Sequence, residues 1–175
     1  VNRIYNPIFS IYIFVGEKMK LLHALAVSIA LFVGLWVYIS IGLPDLKFYP
    51  WIGFVAWAAF FAGGGGSVGF IKPLGASLAG ILLTALTMYG VGMAGGSMTS
   101  LIILISILAM VLVLIADISY FSYTPAAFLG AATFFGSGGK PDDSILYVIL
   151  SWVAGLTLGY LSELVGKKMA KKETA

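Results

Sequence analysis

Hydrophobic residues in this chain fall into long, almost uncharged runs separated by short clusters of glycine, proline and charge. The run at 21–41 holds no Asp, Glu, Lys or Arg. At about 1.5 Å per helical residue it matches a hydrocarbon core of about 30 Å. Three more runs, at 74–91, 98–116 and 145–165, are long enough to cross in the same way. Two others, at 49–61 and 123–135, are short, and residues 50–61 reach only about 18 Å as a helix. The first short run ends in Gly63, Gly64, Gly65 and Gly66, the second in Gly136, Ser137, Gly138 and Gly139. Glycine inside a helix costs about 1 kcal/mol per residue relative to alanine, so a break is expected at each run.

The two short segments match each other. Phe54, Ala58, Phe60 and Phe61 align with Phe128, Ala132, Phe134 and Phe135. A proline opens each segment, offset by one position, a glycine run closes it, and a Lys-Pro pair follows at Lys72 and again at Lys140. The next helices align as well, with Ala79 and Gly80 on Ala154 and Gly155. This pattern predicts an all-α integral membrane protein of about six transmembrane segments. They form two three-helix repeats, at about 19–93 and 97–168, whose second and fifth segments are short or broken at glycine. Three crossings per repeat is an odd number, so the second copy is inverted relative to the first, as in many transporters and channels.

Composition agrees with a bilayer protein: 61% of the 175 residues are hydrophobic and only 10% charged, against about 25% charged in soluble domains. Four of the ten basic residues, Lys167, Lys168, Lys171 and Lys172, crowd towards the C-terminus. That reads as a basic cytoplasmic tail at 169–175 and its approach, and as topology rather than nucleic-acid binding. With six crossings both termini share a side. Placing that side in the cytoplasm gathers Arg3, Lys18, Lys20, Lys72 and the tail lysines there and leaves Lys47 and Lys140 outside, eight to two. Residues 1–18 stand apart from the membrane domain at 19–168. They are expected to be an interfacial segment, or a product of a start assigned ahead of Met19.

Chemistry-bearing residues are sparse. There is no cysteine and one histidine, His23, and no carboxylate pair or nucleophile-base set can be assembled, so no catalytic, metal or cofactor site is expected. Non-helical backbone at membrane depth persists only inside protein or beside water. The glycine breaks therefore single out a candidate solute pathway of Phe60, Phe61, Gly64, Gly65, Ser67, Thr133, Phe134, Phe135, Ser137 and Gly138. Asp117 is the coupling-ion candidate, because an acid near membrane depth is costly to keep; its plainer reading is a turn residue. Glu163 sits four residues before Lys167, and a helical ion pair accounts for it. Gly155 and Gly159 form a small-xxx-small pattern suited to helix packing or oligomerisation.

The stretch from Phe61-Ala-Gly-Gly-Gly-Gly66 through Lys72-Pro-Leu-Gly-Ala-Ser-Leu-Ala-Gly80, together with Tyr123-Thr-Pro-Ala-Ala-Phe-Leu-Gly-Ala-Ala-Thr-Phe-Phe135, resembles the family of domain of unknown function 1097. The resemblance covers roughly 19–168 and implies a small bacterial inner-membrane protein. It implies no substrate and no catalytic residue. The expected function is a channel or facilitator for a small neutral or weakly polar solute of the urea, ammonia or short-amide class, acting as a homo-oligomer in the lipid bilayer. The alternatives are an ion-coupled secondary transporter using Asp117 and a structural or assembly subunit of a membrane complex.

Overall fold

The first helix, α1 (Leu21–Gly42), stops where Leu43 must leave the helical region ahead of Pro44, at φ −121° and ψ 72°. A short 3₁₀ turn at Pro44–Leu46 leads to α2 (Pro50–Ala62), whose proline sits at the first helical position, where its missing N–H costs nothing. There follow α3 (Gly66–Met93), α4 (Met98–Leu114), α5 (Thr124–Gly136) and α6 (Ser144–Met169). These come from a computed structural model that describes residues 20–170. The segment at 1–18 lies outside the described residues, as does the tail beyond Ala170.

Among the described residues there are six α-helices and no strand. Four helices are long and apolar enough to cross a membrane, and α2 and α5, at 13 residues each, are shorter apolar helices. The third helix begins eight residues before the expected start at Leu74, because it runs through Lys72 and Pro73. Gly63 makes room for the buried proline ring, since a Cβ there would stand 3.1 Å from Pro73 Cγ, and Gly69 lets α3 approach α2, since a Cβ there would meet the Phe60 carbonyl at 2.6 Å.

Each short helix packs most extensively on a long helix from the other half of the chain, α2 on α6 and α5 on α3. Glycine allows both approaches. A Cβ on Gly155 of α6 would collide with the Gly53 carbonyl of α2, and one on Gly80 of α3 would collide with the Ala127 carbonyl of α5. Gly159 lies against Phe60 and Trp57, so the Gly155/Gly159 pair is used within the chain. The outer helices complete the bundle. On α1, the Ser28 hydroxyl donates to the Ser162 carbonyl of α6 at 2.7 Å, and α4 lies along α3 with Leu104 against Gly90.

The core is rich in aromatic side chains. Ile52, Phe60, Ile81, Phe134, Val148, Trp152 and Leu156 belong to one cluster and are each at most 1% exposed. Trp36 lies over Gly53, and its Nε1 donates to the Pro50 carbonyl at 2.8 Å. Of the four tryptophans only Trp51, at 39% exposure, is exposed enough to serve as an interfacial anchor; the other three are buried.

Candidate functional site

The glycine turns are closed by the backbone itself. After α2 the amides of Gly64 and Gly65 donate to the carbonyls of Phe61 and Phe60, at 3.0 and 3.1 Å. After α5 the amides of Gly138 and Gly139 donate to Phe135 and Phe134, both at 3.1 Å. Both turns need left-handed backbone, with φ of 99° and 68° at Gly64 and Gly65 and of 116° and 64° at Gly138 and Gly139. A side chain at such positions is strained, which is why glycine occupies them. These bonds satisfy the carbonyls of Phe60, Phe61, Phe134 and Phe135 within the chain.

These turns lie at opposite ends of the bundle. Gly65 touches Glu163 near the end of α6. Gly136, at the other turn, meets the Trp51 ring, and the same end places Lys47 over the Tyr147 ring near the start of α6. Of the pathway candidates, the structure brings Phe60 and Phe134 together in the core, each edge-on to its neighbour, Phe61 or Phe135. Phe61 is half-buried and Phe135 is 39% exposed. The Thr133 hydroxyl is taken up by the core: it accepts from Trp152 Nε1 and donates to the Gly130 carbonyl, both at 2.8 Å. Ser137 donates to the Phe134 carbonyl, and Gly64 and Gly138 are exposed at the two ends. Ser67 lines a cleft between α3 and α6. Asp117 is exposed in a 3₁₀ turn that closes α4, the position of a turn residue.

The acid that the fold buries is Glu163, at 7% exposure. It forms the expected ion pair with Lys167. Its Oε2 also accepts from the backbone N–H of Gly66, at 2.6 Å, where α3 begins. A Cβ on Gly65 would lie 2.7 Å from Oε1, so the turn fits directly over the carboxylate. One turn back along α6, Tyr160 and Thr157 line a cleft of about 330 Å³ with Ser67, Phe70 and Ile71 of α3. Sequence reasoning reached Ser67 but not the other four. The signal it had was an acid inside an otherwise apolar helix, and the Lys167 pairing accounted for that acid without invoking α3.

Among the described residues no group of acids and histidines is placed to hold a metal ion. The lining of the cleft carries three hydroxyls and no charge.

Two curated proteins of Escherichia coli (strain K12) are similar along nearly their whole length. One, the uncharacterized protein YahC, is 32% identical over 165 residues, covering 89% of this chain and 97% of that protein. The other, the inner membrane protein YcdZ, is 28% identical over 156 residues, covering 88% and 91%. No solved structure matches. Residues 26–167 match the protein family of unknown function DUF1097, and with its four long apolar helices the chain belongs to that family as a membrane protein.

Proposed function

We propose that the protein is a carrier or facilitator, not an enzyme, that moves a small neutral or weakly polar solute across the bacterial inner membrane through two inverted three-helix units. The observation that carries this reading is a matched pair of contacts. Gly155 lies on the Gly53 carbonyl, and the positions aligned with them, Gly80 and Ala127, make the same contact in the other half. The two glycine turns likewise repeat one hydrogen-bond pattern, offset by 74 residues, from Gly65–Phe60 to Gly139–Phe134. Inverted units related this way are the architecture of many transporters, with the solute held between them. The inner-membrane name of YcdZ supports the location. The eight-to-two distribution of Lys and Arg supports six crossings with both termini in the cytoplasm.

The packed core favours alternating exposure over a permanently open channel. Phe60, Phe134 and Trp152 fill the space that a fixed conduit between α2, α5 and α6 would need. Coupling through Asp117 has no support from its exposed position. A second reading, a structural or assembly subunit, is favoured by α4. Ile102, Ile103, Met110 and Val113 on that helix are each more than half exposed and available to lipid, to a partner or to a second copy of the chain.

Vesicle uptake separates the two. Purified protein in liposomes should admit at least one of urea, glycerol, ammonia or formate faster than empty vesicles. No acceleration for any of them favours the subunit reading.

A further inference from the structure

The cleft between α3 and α6 is lined by two aromatic rings, one aliphatic side chain and three hydroxyl groups. Its walls are Phe70 and Ile71 on one side and the Tyr160 ring on the other, with a volume of about 330 Å³. That size lies at the lower end of small-molecule sites. Tyr160 is fixed between two other rings, edge-on to Phe70 at 6.1 Å and to Phe60 at 6.2 Å, so it presents a rigid aromatic surface. The polar equipment is limited to hydroxyls on Ser67, Thr157 and Tyr160. Thr157 already donates to the Val153 carbonyl at 2.7 Å, leaving its oxygen as an acceptor only.

Charge is excluded. None of the five lining residues carries a carboxylate, amine, guanidinium or imidazole. Glu163, one turn below Tyr160, has its carboxylate shared between Lys167 and the Gly66 amide. An ion entering this cleft would lose hydration without gaining a counter-charge. A urea-like solute, polar on every edge, would also leave hydrogen bonds unmade against the aromatic and aliphatic walls. A flat apolar body with one hydroxyl or N–H loses little, because its ring meets Phe70, Ile71 and Tyr160 and its polar end meets a hydroxyl.

We propose that this cleft binds small uncharged molecules with an aromatic or similarly apolar body and a single polar end. This rests on the transport reading only for its physiological meaning; binding itself is testable alone. Phenol is the probe, with benzoate, benzylammonium and urea as comparators, and saturation-transfer NMR on protein in nanodiscs is the readout. Thr157 and Ile71 are both exposed, so Thr157→Trp and Ile71→Trp fill the cleft without disturbing the core. Leu86→Trp, exposed further along α3, is the control.

Saturable phenol binding, lost in Thr157→Trp and Ile71→Trp, kept in Leu86→Trp and absent for the three comparators, is the expected result. Non-saturable signal, as from simple partitioning or a cleft filled by a lipid chain, overturns the proposal. So does equal binding of benzoate, or phenol binding that both cleft-filling variants retain. Saturable phenol binding without accelerated vesicle uptake of any solute removes the transport reading and leaves the cleft site standing. Urea uptake without phenol binding does the reverse.

Discussion

Glu163 Oε2 accepts a 2.6 Å hydrogen bond from the backbone N–H of Gly66, so a carboxylate near the end of the last helix holds the first amide of α3. The two residues are 97 positions apart, and the bond ties the α2–α3 turn to α6. A negative charge is also favoured at a helix N-terminus by the aligned peptide dipoles. Glu163→Ala removes this bond and the Lys167 pair together and should lower stability by about 2–3 kcal/mol. Glu163→Gln keeps an oxygen acceptor for Gly66 and should lose distinctly less. Thermal unfolding in detergent measures both, and equal losses would assign the effect to the ion pair instead of the turn.

The three buried tryptophans should respond differently to phenylalanine. Trp36 and Trp152 each donate a hydrogen bond, to the Pro50 carbonyl and the Thr133 hydroxyl, and each substitution should cost about 1 kcal/mol or more. Trp57 Nε1 is buried without a partner among the described residues, so Trp57→Phe loses no bond and should be neutral or stabilising. Unfolding midpoints that fall equally for all three would contradict this ordering.

Helix contact at glycine gives a second contrast. Gly80→Ala and Gly155→Ala push a methyl into a facing carbonyl and should destabilise by about 1–3 kcal/mol or more. Gly34 and Gly92 are helical glycines with open space around them. Alanine there should stabilise by up to about 1 kcal/mol through helix propensity alone. Folded yield and unfolding midpoint report both pairs.

Gly64 and Gly138 are exposed, with open space for a side chain but left-handed backbone. Gly64→Ala and Gly138→Ala should each cost about 1–2 kcal/mol from backbone strain. Because both positions lie at bundle ends, any flux remaining per folded molecule should be unchanged. A selective loss of flux with normal stability would put the pathway at the turns after all.

Much of this fold is legible in the sequence, for definable reasons. Long uncharged runs have one stable solution in lipid, so α1, α4 and α6 appear close to where hydropathy places them. The start of α3 is not legible, because Lys-Pro ordinarily ends a helix, and the room made for Pro73 by Gly63 depends on how α2 folds back. Glycine runs mark where α2 and α5 end. Gly64, Gly65, Gly138 and Gly139 serve backbone geometry at the two ends of the bundle, while the glycines that matter at its centre are the isolated Gly53, Gly80 and Gly155. The bond from Trp152 to the Thr133 hydroxyl, 19 residues back, is not encoded by any local pattern. Glu163 and the cleft beside Tyr160 depend on α3 and α6 meeting, which local patterns do not encode.

Side-specific cysteine labelling tests the proposed inverted arrangement most directly, and the natural absence of cysteine makes each single substitution clean. Asp45, Ser67, Ser97, Ser122 and Asp143 are exposed at successive connections or helix starts. With six crossings, an impermeant maleimide applied to intact cells labels Asp45→Cys, Ser97→Cys and Asp143→Cys, whereas Ser67→Cys and Ser122→Cys react only after permeabilisation. Labelling of Ser67→Cys from the same side as Asp45→Cys would mean that α2 does not cross, and would contradict the two inverted units on which the functional account rests.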